Sequence, residues 1–291
     1  MKKILIIGAS GFIGGSLFDY LSKSLSGDFS IRGTYYSNQK DNRFLHLDIT
    51  DSLQIEKCLL MEKPDIILLV AGSKDVKKCE NDFSFAYQMN TRPVEVIVEV
   101  IKTQDLNTKV IFFSSDYVFD GKKGNYTTKD DTNPTTNYGI TKLLAERMLF
   151  GSGINFKIVR TAAVMGKNGL FFDWLLNELE SKKSCSLFDN VFFSPTPIKL
   201  LSEMICILVR DYDAINDKLL HITGDQRLGR YHFAVLVNEM LGETNTQIVA
   251  ESADLDKSLF LKDLSLKQSD FVKIHQTRSF LDYLKDEVNH D

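Results

Sequence analysis

The sequence predicts an α/β fold, a doubly wound parallel sheet followed by a smaller mixed C-terminal domain. Three observations predict it. Short apolar runs alternate with amphipathic stretches through the first half of the chain, the pattern of parallel strands joined by crossover helices. A glycine-rich turn, Gly8-Ala9-Ser10-Gly11-Phe12-Ile13-Gly14, directly follows the first apolar run. After Gly166 the alternation loosens.

Each element follows from its own residues. Ile4–Ile7 is a continuous apolar run, as a strand buried on both faces requires. Phe12–Leu25 reads as a helix, Phe29–Tyr35 as a second strand and Phe44–Leu47 as a short third one. Ser52–Met61 is helical, with Leu53, Cys58, Leu59 and Leu60 available for its buried side. Asp65–Ala71 is a strand after the break at Pro64, and Phe83–Lys102 is mostly helical, with Pro93 marking a junction or kink near its middle. Lys109–Ser114 (strand), Tyr138–Phe150 (helix) and Phe156–Arg160 (strand) complete the alternation, and the polar stretch Lys122–Asn137 is the longest surface loop. Beyond Gly166, Phe171–Leu179 is an apolar-rich helix and Ser186–Phe193 is extended. Lys199–Val209 (helix) and Leu219–Thr223 (strand) return to the sheet, and Arg230–Leu241, Gln247–Ala250 and Gln276–Leu284 form a smaller mixed region. The predicted division is a first domain of residues 1–164 plus about 196–226, and a smaller second domain of about 165–195 plus 227–291.

Composition narrows the function classes. The 291 residues are 43% hydrophobic, enough for a sizeable core, and 35 Lys+Arg against 39 Asp+Glu leave a net charge of −4. A mildly acidic chain with both signs interspersed argues against a nucleic-acid or anionic-membrane surface. No apolar run approaches the ~18 residues of a membrane span, and the run after Met1-Lys2-Lys3 is too brief for a signal peptide. Cys58, Cys79, Cys185 and Cys206 are scattered without ligand spacing and read as reduced thiols of a cytoplasmic protein. The five histidines show no ligand spacing either, so no metal site is expected. Trp174 follows helical spacing with Phe171, Phe172, Leu175 and Leu179, which favours core or inter-domain packing over a sugar-stacking platform.

Three motifs carry chemistry. In the glycine turn, Gly8, Gly11 and Gly14 permit a tight bend, close approach of a pyrophosphate and close helix–strand packing. The helix start at Phe12 and Ile13 supplies free N–H groups and positive dipole. The second motif, Tyr138-Gly-Ile-Thr-Lys142, puts a phenol and an ammonium on one helix face. A neighbouring cation favours the tyrosine anion, which is expected to lower its pKa toward working pH and suit it to general acid–base work. Tyr36 and Lys40 repeat the spacing in a polar loop, so spacing alone is not specific. The third motif, Phe112-Phe113-Ser114-Ser115-Asp116-Tyr117, ends a strand, where a hydroxyl can bond a substrate carbonyl.

With these motifs in this order, the chain resembles the extended short-chain dehydrogenase/reductases, and most of all the dTDP-4-dehydrorhamnose reductase family. The matching stretches include GASGFIG (8–14), LDITD (47–51), SSDYVFDG (114–121), NYGITKLLAE (137–146), VRTAAVMG (159–166) and SPT (194–196). The resemblance implies a Rossmann domain and reduction of a nucleotide-linked 4-keto-6-deoxyhexose by hydride from a nicotinamide. It implies that Tyr138 protonates the developing alkoxide, that Lys142 lowers the tyrosine pKa and holds the nicotinamide ribose, and that Ser115 bonds the carbonyl oxygen. Gly8, Ser10, Gly11, Phe12, Ile13, Gly14, Tyr36, Ser37, Ala71 and Gly72 would also contact the cofactor, with Asp48 and Ile49 along the adenine. Lys74, Ser115, Asp116, Tyr117 and Ala163 would meet the substrate. Related 4,6-dehydratases carry Asp-Glu where this chain has Asp116-Tyr117, so elimination lacks its base. A C4 epimerase and a non-catalytic cofactor-binding regulatory subunit are the alternatives on this scaffold. A homodimer is left open, as are the sugar and its nucleotide.

Some positions depart from the family pattern. Leu69 replaces a usual Asn and reads as a core residue, Lys74 and Lys77 replace small or acidic residues, and Ala163 stands where Trp is frequent. The stretch Glu251–Lys257 matches poorly. NAD-binding relatives place an acid at the end of the second strand. Tyr35-Tyr36-Ser37-Asn38 has none and Lys40 and Arg43 follow, which favours NADP(H) over NAD(H).

Overall fold

The structure is a computed structural model that describes residues 1–181, 184–242, 244–255 and 259–288; His290 and, within 251–257, Asp256 and Lys257 lie outside the described residues. In chain order the elements are β1 (Lys2–Ile7), α1 (Phe12–Ser24), β2 (Phe29–Tyr35), β3 (Phe44–His46), α2 (Ser52–Glu62), β4 (Ile66–Leu69), α3 (Val76–Asn81), α4 (Phe83–Asn90), α5 (Arg92–Thr103) and β5 (Lys109–Ser115). After a 3-10 turn (Asp116–Val118) come α6 (Asn137–Ser152), β6 (Phe156–Thr161), β7 (Val164–Met165), α7 (Leu170–Ser181), β8 (Ser184–Phe188), β9 (Phe192–Phe193), β10 (Thr196–Pro197) and α8 (Ile198–Arg210). The chain closes with β11 (Leu219–His221), β12 (Leu228–Gly229), α9 (Arg230–Met240), β13 (Gln247–Glu251), α10 (Asp270–His275) and α11 (Phe280–Val288).

Two compact units result. The first takes in Met1–Val118, Thr132–Arg160 and Ile205–Leu220, the second Phe119–Asp131, Thr161–Met204 and His221–Asp291. A seven-stranded sheet in the order β11-β6-β5-β4-β1-β2-β3 forms the frame of the first unit, with β1 parallel to β2 and β4, β2 to β3, and β4 to β5. Strand order reverses between β1 and β4, and in such sheets the crevice for a ligand lies beyond the carboxyl ends of those strands. On one face Leu5, Ile7, Ile67, Leu69 and Phe112 pack with Ile55 and Leu59 of α2 and Ile97 and Val100 of α5. Leu69 is thus a core residue, as its departure from the family pattern suggests.

Short polar side chains cap α2, α3, α4 and α6. Asp51 accepts from Leu53 and Gln54 N–H, Asp75 from Lys78, Asp82 from Phe85, and Thr136 from Gly139. Each such cap contributes about 1 kcal/mol. The stretch Phe83–Lys102 is two helices, so Pro93 marks a junction and not a kink: they meet at Thr91, and Pro93 sits in the first turn of α5, where its missing N–H costs nothing. Two six-residue helices, α3 and α10, were not anticipated, being too short to show a period. Leu53 points outward at 76% exposure, and Ile55, Cys58 and Leu59 form the buried side of α2.

The stretches 161–164, 196–204 and about 221–226 were expected with the first domain and belong to the second unit, and so does 119–131. Backbone bonds hold it there: Tyr126 N–H donates to Ser265 O (2.9 Å) and Asp263 N–H to Gly121 O (2.9 Å). The core of this unit joins Phe172, Leu175 and Leu179 of α7 to Phe233 and Val237 of α9 and Phe280 and Leu284 of α11. Trp174 does not join that core; it turns outward at 41% exposure beside Phe171.

Phe172 is fully buried and packs against Phe233. We expect Phe172→Ala to cost about 3–5 kcal/mol through the lost burial and the cavity left behind. Trp174 is the sole tryptophan and lies on the same helix, so its fluorescence in urea reads the second unit directly. An unchanged midpoint would contradict this packing.

Candidate active site

The glycine turn is set by close contacts at two of its three glycines. Gly8 has φ +97°, and a Cβ there would come within 2.8 Å of Ala71 N; a Cβ at Gly14 would lie 2.1 Å from Gly8 O. Neither tolerates a side chain. Thr34 pins the turn from β2, its Oγ1 accepting from Gly8 N–H (3.0 Å) and its carbonyl from Ser10 N–H (3.3 Å). Gly11 differs, since a Cβ there would meet only Gly8 O at 3.4 Å. Gly11 caps α1 without a side-chain hydrogen bond, and the first turn carries no acidic residue. The N–H groups around Phe12 and Ile13 therefore present positive potential beside open space, which suits an anionic phosphate.

A second group gathers where β5 ends and α6 begins. Ser115 closes β5, Asp116 and Tyr117 follow in the 3-10 turn, and Tyr138 and Lys142 occupy the first turns of α6. Gly139 makes this approach feasible, because a Cβ there would lie 2.1 Å from Tyr117 O. The Tyr117 and Tyr138 rings meet edge to face at 5.5 Å. Asn137 fixes the start of α6 from α3, its N–H donating to Glu80 Oε2 (2.8 Å) and its amide to Glu80 O (3.1 Å).

The electrostatics differ from expectation. Loss of solvation pushes the Tyr138 phenol well above the ordinary tyrosine range; the Ser115 hydroxyl pulls it down, and the Asp116 carboxylate adds to the rise. Lys142 does not lower it. Burial depresses Lys142 itself to about 8, against the pull of Glu146, and its ammonium donates to Phe113 O at 2.7 Å. In the protein alone, Tyr138 is a held proton donor and not a poised anion.

Several supporting residues escaped the sequence reading. Glu146, one turn beyond Lys142 on α6, accepts from Arg160 of β6 (Nε 2.9 Å, Nη2 2.6 Å) and from the Ser114 hydroxyl of β5, all three buried. Asn90 of α4 accepts Ser73 N–H (3.0 Å) and reaches Thr141 Oγ1 (3.4 Å), joining the loop after β4 to α6. The i,i+4 spacing of Glu146 from Lys142 and a glycine inside the predicted helix were the available signals.

The other expected contacts are scattered. Ala71 is anchored to Ile7 O (2.8 Å), and Gly72 adjoins Asn90, where a Cβ would meet Oδ1 at 2.7 Å. Asp48 accepts from Thr50 N–H and hydroxyl (2.9 and 2.7 Å), and Ile49 packs on the core. Tyr36, Ser37 and Lys74 are exposed, and Ala163 stands exposed in the second unit. Arg43, a cation expected to meet a 2′-phosphate, is held by Asp41 (Nη2 2.7 Å, Nε 2.9 Å) and lies over the Phe18 ring at 4.3 Å. This pair holds the Asp41 carboxyl down to about 2. Among the described residues, no three His, Cys, Asp or Glu side chains group so as to hold a metal ion.

The RmlD substrate binding domain family matches residues 1–257. A dTDP-4-dehydrorhamnose reductase of Aggregatibacter actinomycetemcomitans is 26% identical over 268 residues, covering 90% of this chain and 86% of its own. Methionine adenosyltransferase 2 subunit beta of Xenopus tropicalis is 24% identical over 246 residues, covering 79% and 69%. Among solved structures, a hypothetical dTDP-4-dehydrorhamnose reductase from Sulfolobus tokodaii superposes with a TM-score of 0.82 at 29% identity, covering 97% of this chain and 99% of its own.

The depressed Lys142 makes a signed prediction about stability. Below pH 8 the folded and unfolded chains both carry the ammonium, and its burial weighs fully against folding. Between pH 8 and the ordinary lysine value of 10.5 the unfolded chain binds the extra proton, so stability rises with pH. Lys142→Met should remove that rise, read as the difference in urea midpoint between wild type and variant across the window. Parallel curves would refute the assignment.

Proposed function

The chain belongs to the RmlD substrate binding domain family, and from that premise we propose that it is an NAD(P)H-dependent reductase of a nucleotide-linked 4-keto-6-deoxyhexose, of the dTDP-4-dehydrorhamnose reductase type. The observation that carries this reading is the gathering of Ser115, Tyr138 and Lys142 at the end of β5, with the phenol kept protonated by its surroundings. A reduction needs a proton donor beside the ketone, whereas abstraction from an alcohol needs the anion.

The glycine turn fits a dinucleotide: Gly8 and Gly14 shape it, Gly11 leaves room, and the uncapped first turn of α1 faces that room. Gly8, Ser10, Gly11, Phe12, Ile13 and Gly14 would hold the pyrophosphate, with Ala71, Gly72 and Lys142 further along the cofactor. When bound, the reduced nicotinamide supplies the hydride to the sugar's carbonyl carbon. Tyr138 gives its proton to the carbonyl oxygen as charge develops there, and Ser115 bonds the same oxygen. Lys142, whose ammonium donates to Phe113 O in the protein alone, would hold the nicotinamide ribose. Tyr117 follows Asp116 and supplies no carboxylate for elimination, which keeps the reaction a reduction.

For the cofactor we favour NADP(H), on Tyr36, Ser37 and Lys40; Arg43 contributes less because Asp41 holds it. We place the protein in the cytoplasm, in keeping with four buried cysteines of which none is in a disulfide. No helix among the described residues is long and apolar enough to cross a membrane.

Purified protein should oxidise NADPH in the presence of nucleotide-linked 4-keto-6-deoxyhexoses, faster than NADH. Tyr138→Phe should lower kcat by about 10²–10⁴-fold while leaving NADPH affinity intact. Equal turnover in the variant would sink the assignment of Tyr138. NADPH binding with no turnover of any such sugar would sink the reductase and favour the regulatory-subunit alternative.

A further inference from the structure

In sheets of this kind a dinucleotide's adenosine ribose is read at the end of the second strand. The cations that the sequence offers near that point are not equally available. Arg43 is occupied: its Nε and Nη2 donate to Asp41 (2.9 and 2.7 Å), its Nη1 to Ser22 Oγ (3.4 Å), and the Phe18 ring covers one face at 4.3 Å. Turning it onto a phosphate would strip Asp41 of these bonds. Lys40 is exposed, and nothing among the described residues fixes its ammonium. Ordering that long side chain on a ligand costs rotamer freedom.

A third side chain able to carry positive charge stands at the strand ends. β2 and β3 pair with Gly33 opposite Phe44 and Tyr35 opposite His46. A Cβ at Gly33 would lie 2.5 Å from both Ala9 Cβ and Phe44 Cδ1, and Phe44 meets Phe18 of α1 edge to face at 4.7 Å. Gly33 and Phe44 therefore mark the α1 face of the sheet. Tyr35 and His46, two positions further along each strand, lie on that same face. Thr34, just before Tyr35, pins the glycine turn through Gly8 and Ser10 N–H. His46 is exposed, with the Tyr35 ring edge to face at 5.4 Å and the Tyr36 ring at 6.1 Å. Neither of its ring nitrogens bonds a described residue.

We propose, resting on the dinucleotide-binding part of the reading above, that His46 and not Arg43 distinguishes NADPH from NADH. Its ring N–H donates to the 2′-phosphate, beside Tyr36 and Ser37. The two tyrosine rings hold the imidazole before the cofactor arrives, so little side-chain freedom is lost on binding. Neutral or protonated, an imidazole has an N–H to offer, and its cation bonds a phosphate more strongly than a neutral donor does. The ribose hydroxyl of NADH presents no charge for that cation to meet. Arg43 stays with Asp41 and serves the packing of the loop between β2 and β3.

The test is the pair of dissociation constants for NADPH and NADH, which differ only by the 2′-phosphate, measured by isothermal titration calorimetry without sugar. Wild type should bind NADPH the more tightly. His46→Ala should weaken NADPH by about fivefold or more and leave NADH within about twofold. His46→Gln, which keeps an N–H donor without the cation, should fall between wild type and H46A. Arg43→Met should shift neither cofactor by more than about twofold. An equal loss of both cofactors in H46A at an unchanged urea midpoint overturns the proposal, because His46 would then support the adenine. A larger NADPH loss in R43M than in H46A overturns it too, as do wild-type constants that do not differ. If H46A unfolds more easily than wild type, the NADPH-to-NADH ratio of H46Q decides. No sugar is present, so the outcome does not depend on what the protein reduces. Wild type that binds neither cofactor ends the dinucleotide reading, whereas an unchanged ratio in H46A ends only the role of His46.

Discussion

A buried ion pair sets the geometry on which the candidate site depends. Glu146 takes two hydrogen bonds from Arg160 and one from Ser114, so α6, β6 and β5 are locked at one point with both charges below 5% exposure. Breaking such a pair by removing one partner leaves an uncompensated charge, at about 3–5 kcal/mol. The lock lies one helical turn from Lys142 and one residue from Ser115. The register of α6 along β5, and with it the approach of Tyr138 to Ser115, follows from it.

Around that lock the protein opposes the ionisation of its own candidate catalytic groups. Tyr138 is pushed up and Lys142 down, each by burial first. Both shifts favour the neutral side chain, so the two groups do not stabilise one another's charges as their spacing suggests. The ammonium is turned to a strand carbonyl instead, Phe113 O, and lies over the Phe112 ring at 4.5 Å. A site of this kind rests with its protons in place and waits for charge to arrive with its ligands.

Much of this was legible in the sequence, for physical reasons that also mark where legibility stopped. The buried strands Ile4–Ile7 and Ile66–Leu69 and the glycine turn are written in local pattern, and they stand where expected. The six-residue helices α3 and α10 span less than two turns and leave no periodic trace. The attachment of 119–131 to the second unit depends on backbone bonds from Tyr126 to Ser265, more than a hundred residues apart, which no side-chain pattern records. At the site, residue types were readable and partners were not. Arg43 looked available because its acid, Asp41, sits two positions earlier and not at the strand end. Trp174 fitted the helical spacing of its apolar neighbours, yet stands at the edge of the face that they bury.

Gly139 has a consequence for how this scaffold diverges. The carbonyl of Tyr117 fills the space that any side chain at 139 would take, while the glycine turn at 8–14 owes nothing to that contact. One added methyl group would move the phenol away from the serine and leave the glycine turn whole. The proposed acid chemistry and the proposed dinucleotide cradle therefore depend on different glycines.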